Sequence, residues 1–184
     1  MKTLVIVTHP NIETSRINKR WAAELRKHSE LVTVHELYST YPDGKIDVER
    51  EQKLIEAHDN IVLQFPLYWY SSPPLLKQWL DEVFTYSWAY GSTGDKLRNR
   101  KLGLAISLGG KESDFGKDGD IPFTINEITI PFQATCRYTG MNFLPIFTVY
   151  GAEYHLTDEQ IEQSAIDYVK YIVEIVQSGE KVTA

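Results

Sequence analysis

Runs of apolar residues alternate along the chain with stretches of helical spacing. Lys2–Thr8 carries Leu4-Val5-Ile6-Val7, a continuous apolar run that predicts a central strand buried on both faces. His9-Pro10-Asn11 ends it. Thr14 or Ser15 can cap the next helix, in which Ile17, Trp21 and Leu25 recur at helical spacing. Leu31–Leu37 is a more polar strand, suited to an edge. Tyr41-Pro42-Asp43-Gly44 is a turn, and Asp47 opens a second helix that runs to about His58. Ile61–Phe65 is a third strand. Pro73 to about Thr85 is a third helix, with prolines at its first turn, where missing N–H groups cost little. Lys101–Ser107 is a fourth strand, and Leu108–Phe123 a long loop rich in Gly, Asp and Lys. Thr124–Tyr138 is a helix that Pro131 should bend, and Phe143–Val149 a fifth strand. Thr157-Asp158-Glu159-Gln160 reads as a capping box. After it, Ile161, Ala165, Tyr168, Val169, Ile172 and Val176 form one apolar face, and Gly179 follows the end.

Strands alternating with helices predict an α/β fold in which a five-stranded parallel sheet carries helices on both faces. The common order is 2-1-3-4-5. Ligands of such sheets bind beyond the carboxyl ends of the strands at the switch point, here between strands one and three. Three loops would meet there: Thr8–Thr14, Pro66–Ser72 and Ser107–Asp120. No repeat, low-complexity stretch or linker divides the chain, so residues 1–184 are expected to form one domain.

Composition narrows the function classes. A formal net charge of −6 argues against a nucleic-acid binder. No apolar run approaches the roughly 20 residues of a membrane helix. Met1-Lys2 leads directly into a strand, so no signal peptide is expected, and the single cysteine, Cys136, cannot form an internal disulfide. Together these favour the cytoplasm. Cys136 falls in a predicted helix and reads as a packed residue rather than a nucleophile.

The middle loop holds the strongest signal. Nine of the 22 aromatic residues lie between positions 65 and 90. That density suits a flat apolar ligand, a subunit interface, or a pocket that a neighbouring subunit completes. Trp79, Leu75, Leu76, Val83 and Phe84 are expected in core or interface. The first loop has no glycine, so neither the dinucleotide fingerprint nor the Walker loop is present. It still precedes a helix start, where free N–H groups favour an anion, with Ser15, Asn18, His9 and Arg16 as further contacts. Taken alone, an ordinary capped helix explains it. In the third loop, Gly109-Gly110 allows close backbone approach or simply a turn. Asp114, Asp118 and Asp120 fail the EF-hand spacing, so a flexible solvated lid is favoured there over a metal site. His28, His35, His58 and His155 are scattered and read as surface or boundary residues.

Taken together, strand-His9-Pro10, Ser15 and Asn18, Phe65-Pro66-Leu67-Tyr68-Trp69-Tyr70-Ser71-x-Pro73-Pro74-Leu75-Leu76-Lys77-x-Trp79, Trp88-Ala89-Tyr90-Gly91 and Gly109-Gly110 resemble the flavodoxin-like NAD(P)H:quinone oxidoreductase family. The similarity is greatest to its small bacterial branch. That branch holds general stress protein 14-like and modulator of drug activity B-like proteins, and ancillary reductase subunits of potassium efflux systems. The resemblance covers nearly the whole chain. It implies a flavodoxin-like three-layer sandwich that binds FMN or FAD without a covalent link. It also implies hydride transfer from NADPH or NADH to quinones or related electrophiles. By position, His9, Ser15, Arg16 and Asn18 would hold phosphate, and Pro66, Leu67, Tyr68, Trp69 and Tyr70 would carry the isoalloxazine. Ser107, Gly109 and Gly110 would line its other edge. The family implies a homodimer in which Trp88 and Tyr90 reach the partner's substrate pocket.

The chain departs from the family in the third loop. Phe115 occupies the position of a family tyrosine, and no histidine follows in Lys117-Asp118-Gly119-Asp120. Phenylalanine cannot donate a proton. The proton would then come from water or another group, Ser113 and Lys117 being candidates. This departure motivates a second reading, an ancillary regulatory flavoprotein that docks on a membrane transport protein. An electron-transfer flavodoxin ranks last, because Thr8–Asn18 lacks a glycine-rich phosphate loop.

Overall fold

A computed structural model describes residues 2–154 and 156–177. Its frame is a parallel sheet of β1 (Thr3–Val7), β2 (Val32–Glu36), β3 (Asn60–Pro66), β4 (Lys101–Ser107), β5 (Asn142–Phe143) and β6 (Phe147–Val149). The order is β2-β1-β3-β4-β5, with β6 also on β4. The predicted order therefore holds, and the chain reverses its direction of growth between β1 and β3. The helices are α1 (Arg16–Leu25), the short α2 (Leu37–Thr40), α3 (Val48–Glu56), α4 (Pro74–Val83), α5 (Ile125–Ile128), α6 (Ile130–Thr139) and α7 (Asp158–Tyr171).

The two-residue period of the strands divides the core. On one face Leu4, Ile6, Ile61, Leu63, Phe65, Leu104 and Ile106 pack with Ile55, Leu76, Trp79 and Cys136. On the other, Val5, Val7, Val62 and Ala105 meet Ile17, Trp21 and Leu25 of α1 and Ile161, Ala165 and Tyr168 of α7. Burial pushes the Cys136 thiol up to about 12, so it is packing material and not a thiolate.

The structure corrects several sequence expectations. The helix expected over Thr124–Tyr138 is two helices that break at Thr129, and Pro131 falls in the first turn of α6. The Thr124 hydroxyl caps α5 by accepting from the Glu127 N–H. The fifth strand is in two pieces, because Pro145 has no N–H for the ladder. The Tyr171 hydroxyl donates to the Pro145 carbonyl at 2.7 Å. Gly103 leaves room for that hydroxyl, since a Cβ there would lie 2.4 Å from it. Val176's side chain, Gly179 and His155 lie outside the described residues.

Two of the histidines read as surface or boundary residues, His35 and His58, are buried. His58 bridges the Leu54 carbonyl and the Thr33 hydroxyl. His35 on β2 meets Glu51, a fully buried carboxylate on α3. Glu51 accepts from His35 Nε2 at 2.9 and 3.0 Å, from the Tyr41 hydroxyl at 2.6 Å and from Trp79 Nε1 at 2.8 Å. Three segments, β2, the turn at Tyr41 and α4, thus share one acceptor on α3. Among them is α4, which follows directly on the aromatic loop, so this carboxylate fixes the helix behind it.

Burial alone would raise the Glu51 carboxyl, but the bonds from His35, Tyr41 and Trp79 outweigh it and hold the group below its ordinary 4.5. A depressed acid contributes stability above its unfolded-state value and loses it as pH falls through the folded value. Glu51→Gln is therefore expected to cost about 2–3 kcal/mol at pH 7, and the difference from wild type should shrink below pH 4.5. Urea unfolding at pH 7 and pH 3.5 checks it. A difference that grows at low pH would contradict the assignment.

Candidate functional site

The loops after β1, β3 and β4 meet at the carboxyl ends of the strands. Between them lies a cavity of about 310 Å³. Nine of the twelve predicted cofactor residues line it: His9, Ser15, Arg16, Asn18, Pro66, Leu67, Tyr68, Ser107 and Gly109. Trp69, Tyr70 and Gly110 adjoin it along the chain without forming its wall. The wall also includes Ala152, Glu153 and Leu156, which no sequence signal marked.

The start of α1 supplies the polar end. Ser15 is its cap, with its hydroxyl accepting from the Asn18 N–H at 3.0 Å. The N–H groups of Arg16 and Ile17 have no acceptor inside the helix, as at any helix start. His9 Nδ1 accepts from the Asn11 N–H at 3.1 Å, which leaves Nε2 to carry the proton. Burial lowers the His9 imidazole, so it is a neutral donor at pH 7. Arg16 Nη2 donates to the Leu156 carbonyl at 2.9 Å and pairs with Asp158 at 2.7 Å. It thereby ties the start of α1 to the start of α7 across the cavity edge.

Asn18 is buried at the base. Its Nδ2 donates to Ser107 Oγ at 2.8 Å, which joins the first loop to the end of β4. Gln64 of β3 lies beside it, with Nε2 donating to the Asn18 carbonyl at 3.0 Å.

The Gly109-Gly110 segment is organised by the loop that follows β6. N–H groups of Gly151, Ala152 and Glu153 donate to carbonyls of Gly110, Leu108 and Gly109. Among the described residues the N–H groups of Gly109 and Gly110 have no backbone acceptor. A Cβ at Gly109 would lie 2.7 Å from the Glu153 carboxyl group, so a larger residue there would push that side chain aside. The long third loop has its own bonding. Asp114 accepts from the Lys111 N–H at 2.7 Å, and Ile121 N–H donates to the Asp114 carbonyl at 2.8 Å. Lys111 also sits 4.6 Å over the Tyr154 ring. Phe115 packs against Tyr150 with ring centroids 5.8 Å apart. Among the described residues no group of three or more His, Cys, Asp or Glu side chains is placed to hold a metal ion.

The middle loop is a tight hairpin turn. Tyr68 and Ser71 exchange both backbone bonds at 2.9 Å, and Trp69 and Tyr70 between them have φ of 47° and 58°. Two consecutive left-handed residues make a type I′ turn, which favours Asn-Gly. Trp69 is 92 % exposed and Tyr70 49 %. Two aromatic side chains are thus displayed at a backbone cost of about 1–2 kcal/mol each.

Trp88 and Tyr90 lie away from the cavity wall. Trp88 Nε1 donates to Glu56 at 2.7 Å and its ring packs on Phe84. Tyr90 lies between Tyr86 and the exposed Tyr138, at centroid distances of 5.8 and 5.5 Å. A larger groove of about 670 Å³ lies elsewhere, between α5–α6 and the β5–β6 segment, with Phe143, Pro145, Ile146 and Tyr150 in its wall. It holds the start of the one-turn α5 but no glycine pair, and it lies away from the switch point, so the smaller cavity there is the candidate site.

An open parallel sheet with a ligand cavity of this kind defines the class as a doubly wound α/β binding protein. The chain belongs to the Flavodoxin_2 family, described as a flavodoxin-like fold, which matches residues 1–172. It is 54 % identical over 173 residues to the Bacillus subtilis protein named uncharacterized NAD(P)H oxidoreductase YrkL, covering 92 % of this chain and 98 % of that one. General stress protein 14 from Treponema denticola, solved in complex with FMN, is 48 % identical with a TM-score of 0.90, covering 94 % and 98 %. A protein from P. pentosaceus described as NADPH-quinone reductase is 37 % identical with a TM-score of 0.85, covering 95 % and 99 %.

The double variant Trp69→Asn/Tyr70→Gly installs the residues the turn geometry favours. The ligand-free protein is expected to gain about 1–2 kcal/mol and to melt higher, while losing its exposed aromatic surface. Thermal unfolding of both proteins decides it. A lower melting point would mean that side-chain packing outweighs backbone strain here.

Proposed function

We propose that this chain is an FMN-dependent NAD(P)H oxidoreductase that reduces quinones or related electrophiles. The observation that carries this is the cavity lined by the α1 start, Ser107 and Gly109, with Gly110 and an aromatic turn adjoining it. The residues fit the group. An anion suits the helix start with Ser15, Arg16 and His9, and a flat ring with acceptor atoms suits the glycine N–H groups and the aromatic turn. The FMN of the Treponema denticola neighbour and the names of the relatives support the same reading.

A bound flavin would supply the hydride-transfer chemistry between nicotinamide and acceptor. The protein's part is placement. The start of α1 would fix the phosphate end, and Pro66, Leu67 and Tyr68 would set the height of the ring over the strand ends. Trp69 and Tyr70 would exclude water from one side of the reaction space. Phe115 offers no proton, so reduction of the acceptor would take its proton from solvent.

The oligomeric part of the reading is a homodimer in the cytoplasm, with each 1–184 domain completing its twin's substrate pocket. The exposed Trp69, Tyr70, Tyr86, Phe123 and Tyr138 supply apolar surface for it. No helix among the described residues is long and apolar enough to cross a membrane. The lack of a hydroxyl at Phe115 favours one second reading, an ancillary flavoprotein of a potassium efflux system with weak turnover.

Reconstituted protein is expected to be yellow, and NADPH or NADH should bleach it under anaerobic conditions, with a quinone restoring the colour. A protein that stays colourless after FMN is added would overturn the reading. Fast quinone turnover by the isolated protein would remove the ancillary alternative. Light scattering should give twice the 21.2 kDa chain mass, and a monomer would remove the shared pocket.

A further inference from the structure

We infer that Gln64 is a positioning residue that sets which way the hydroxyl of Ser107 faces its ligand. The inference rests on the FMN reading above.

Gln64 interrupts the apolar run of β3, a strand whose seven residues are all buried. It pairs in register with Val7 and Ala105, on the sheet face that packs against α1. Its own bonding is incomplete. Nε2 donates to the Asn18 carbonyl at 3.0 Å and to Asn18 Oδ1 at 3.3 Å, while Oε1 is buried without a partner. A buried amide that leaves one atom unpaired is a poor way to stabilise a core, and an apolar side chain would avoid the loss. Stability therefore does not explain the residue.

Direction does. The Asn18 backbone carbonyl is acceptor only, so the Gln64 amide must present its NH₂ group to it. That NH₂ also faces the Asn18 side chain, which must present its oxygen in turn. The Asn18 NH₂ is then aimed at Ser107 Oγ, 2.8 Å away. Reversing Asn18 would set two NH₂ groups against each other. Ser107 Oγ thus accepts from Asn18, and its own proton is left to donate into the cavity that Ser107 lines. Ser15 is treated alike, because its hydroxyl accepts from the Asn18 N–H at 3.0 Å and keeps its proton for the same cavity. One acceptor-only carbonyl therefore orients a series of amides that ends in a hydroxyl donor. The ligand group it would meet is an acceptor, such as a phosphate, carbonyl or unprotonated ring nitrogen.

The test is Gln64→Met, which keeps the volume and removes the donor, with Gln64→Glu as a second variant that keeps the shape. FMN binding is followed by quenching of flavin fluorescence, and the ligand-free protein is melted separately. Gln64→Met is expected to weaken FMN binding by about tenfold. Its ligand-free melting temperature should stay within about 3 °C of wild type, or rise. Ser107→Ala alone should weaken binding by a similar factor, and adding it to Gln64→Met should cost less than about threefold more, because both act on one contact. Gln64→Glu at pH 8 should match Gln64→Met. Unchanged FMN affinity in both Gln64 variants, or full additivity with Ser107→Ala, would overturn the inference while leaving the FMN reading intact. A weakened affinity matched by a large drop in melting temperature in both variants would mark Gln64 as structural and also overturn it. Wild-type protein that fails to quench FMN would remove the reading and the inference together.

Discussion

Everything in this molecule depends on β3 being paired on both sides and buried on both faces. Its parallel bonds to β1 and β4 satisfy its ladder within the sheet, and its side chains alternate between the two cores. A strand so placed cannot end in an ordinary turn, because both neighbours end beside it. Pro66 stops the ladder on its own side, and Leu67 closes it with a bond to the Ser107 carbonyl at 2.9 Å. The chain then leaves the sheet at the one point where the order of growth reverses. Loops on either side diverge there, and the gap between them is the cavity.

The fold was legible because its signals are local and repeat. Continuous apolar runs marked strands buried on both faces, the more polar run at Leu31–Leu37 marked the edge, and of the expected caps Ser15 (rather than Thr14), Asp47 and Thr157 start the helices that form. The break at Thr129 is local, set by Pro131 in the first turn of α6, but most of the other departures come from interactions between distant residues. Glu51 sits where an acid on an amphipathic helix normally faces water. Only the meeting of β2, α3 and α4 shows that it and His35 are buried together. The division of the fifth strand depends on Pro145 and on a Tyr171 hydroxyl 26 residues further on. Glu153 and Leu156 enter the cavity wall because the loop after β6 folds back on Leu108–Gly110, and no spacing in the sequence records that pairing.

Within the site, legibility followed the kind of contact. Backbone features announced themselves: a helix cap, a proline stop, a glycine pair. The aromatic turn was legible as composition but not as geometry, since Trp69-Tyr70 is among the less favourable sequences for a type I′ turn. Its strain is informative for that reason. A chain that needed only to turn there would do so more cheaply, whereas this one holds two large rings outward in a conformation their backbones disfavour. The turn is built for what it displays, and the buried frame of α4, Trp79 and Glu51 supports it.

The polar base of the cavity follows the same logic in reverse. There the side chains are hidden and the geometry is inexpensive, yet the bonding is incomplete. Gln64 is a polar side chain set between Leu63 and Phe65 in a buried strand, and packing alone gives no reason for it. The Asn18 carbonyl supplies one, because an atom that can only accept removes the freedom of every amide bonded to it in turn. A water-filled cavity gains nothing from a fixed hydroxyl direction, since water donates and accepts alike. A ligand with fixed acceptors gains a donor already aimed at it, with no reorientation to be made on binding. The half-satisfied amide beneath the site and the strained turn beside it thus have one explanation. Each gives up some stability of the empty protein to hold a contact in advance of its ligand.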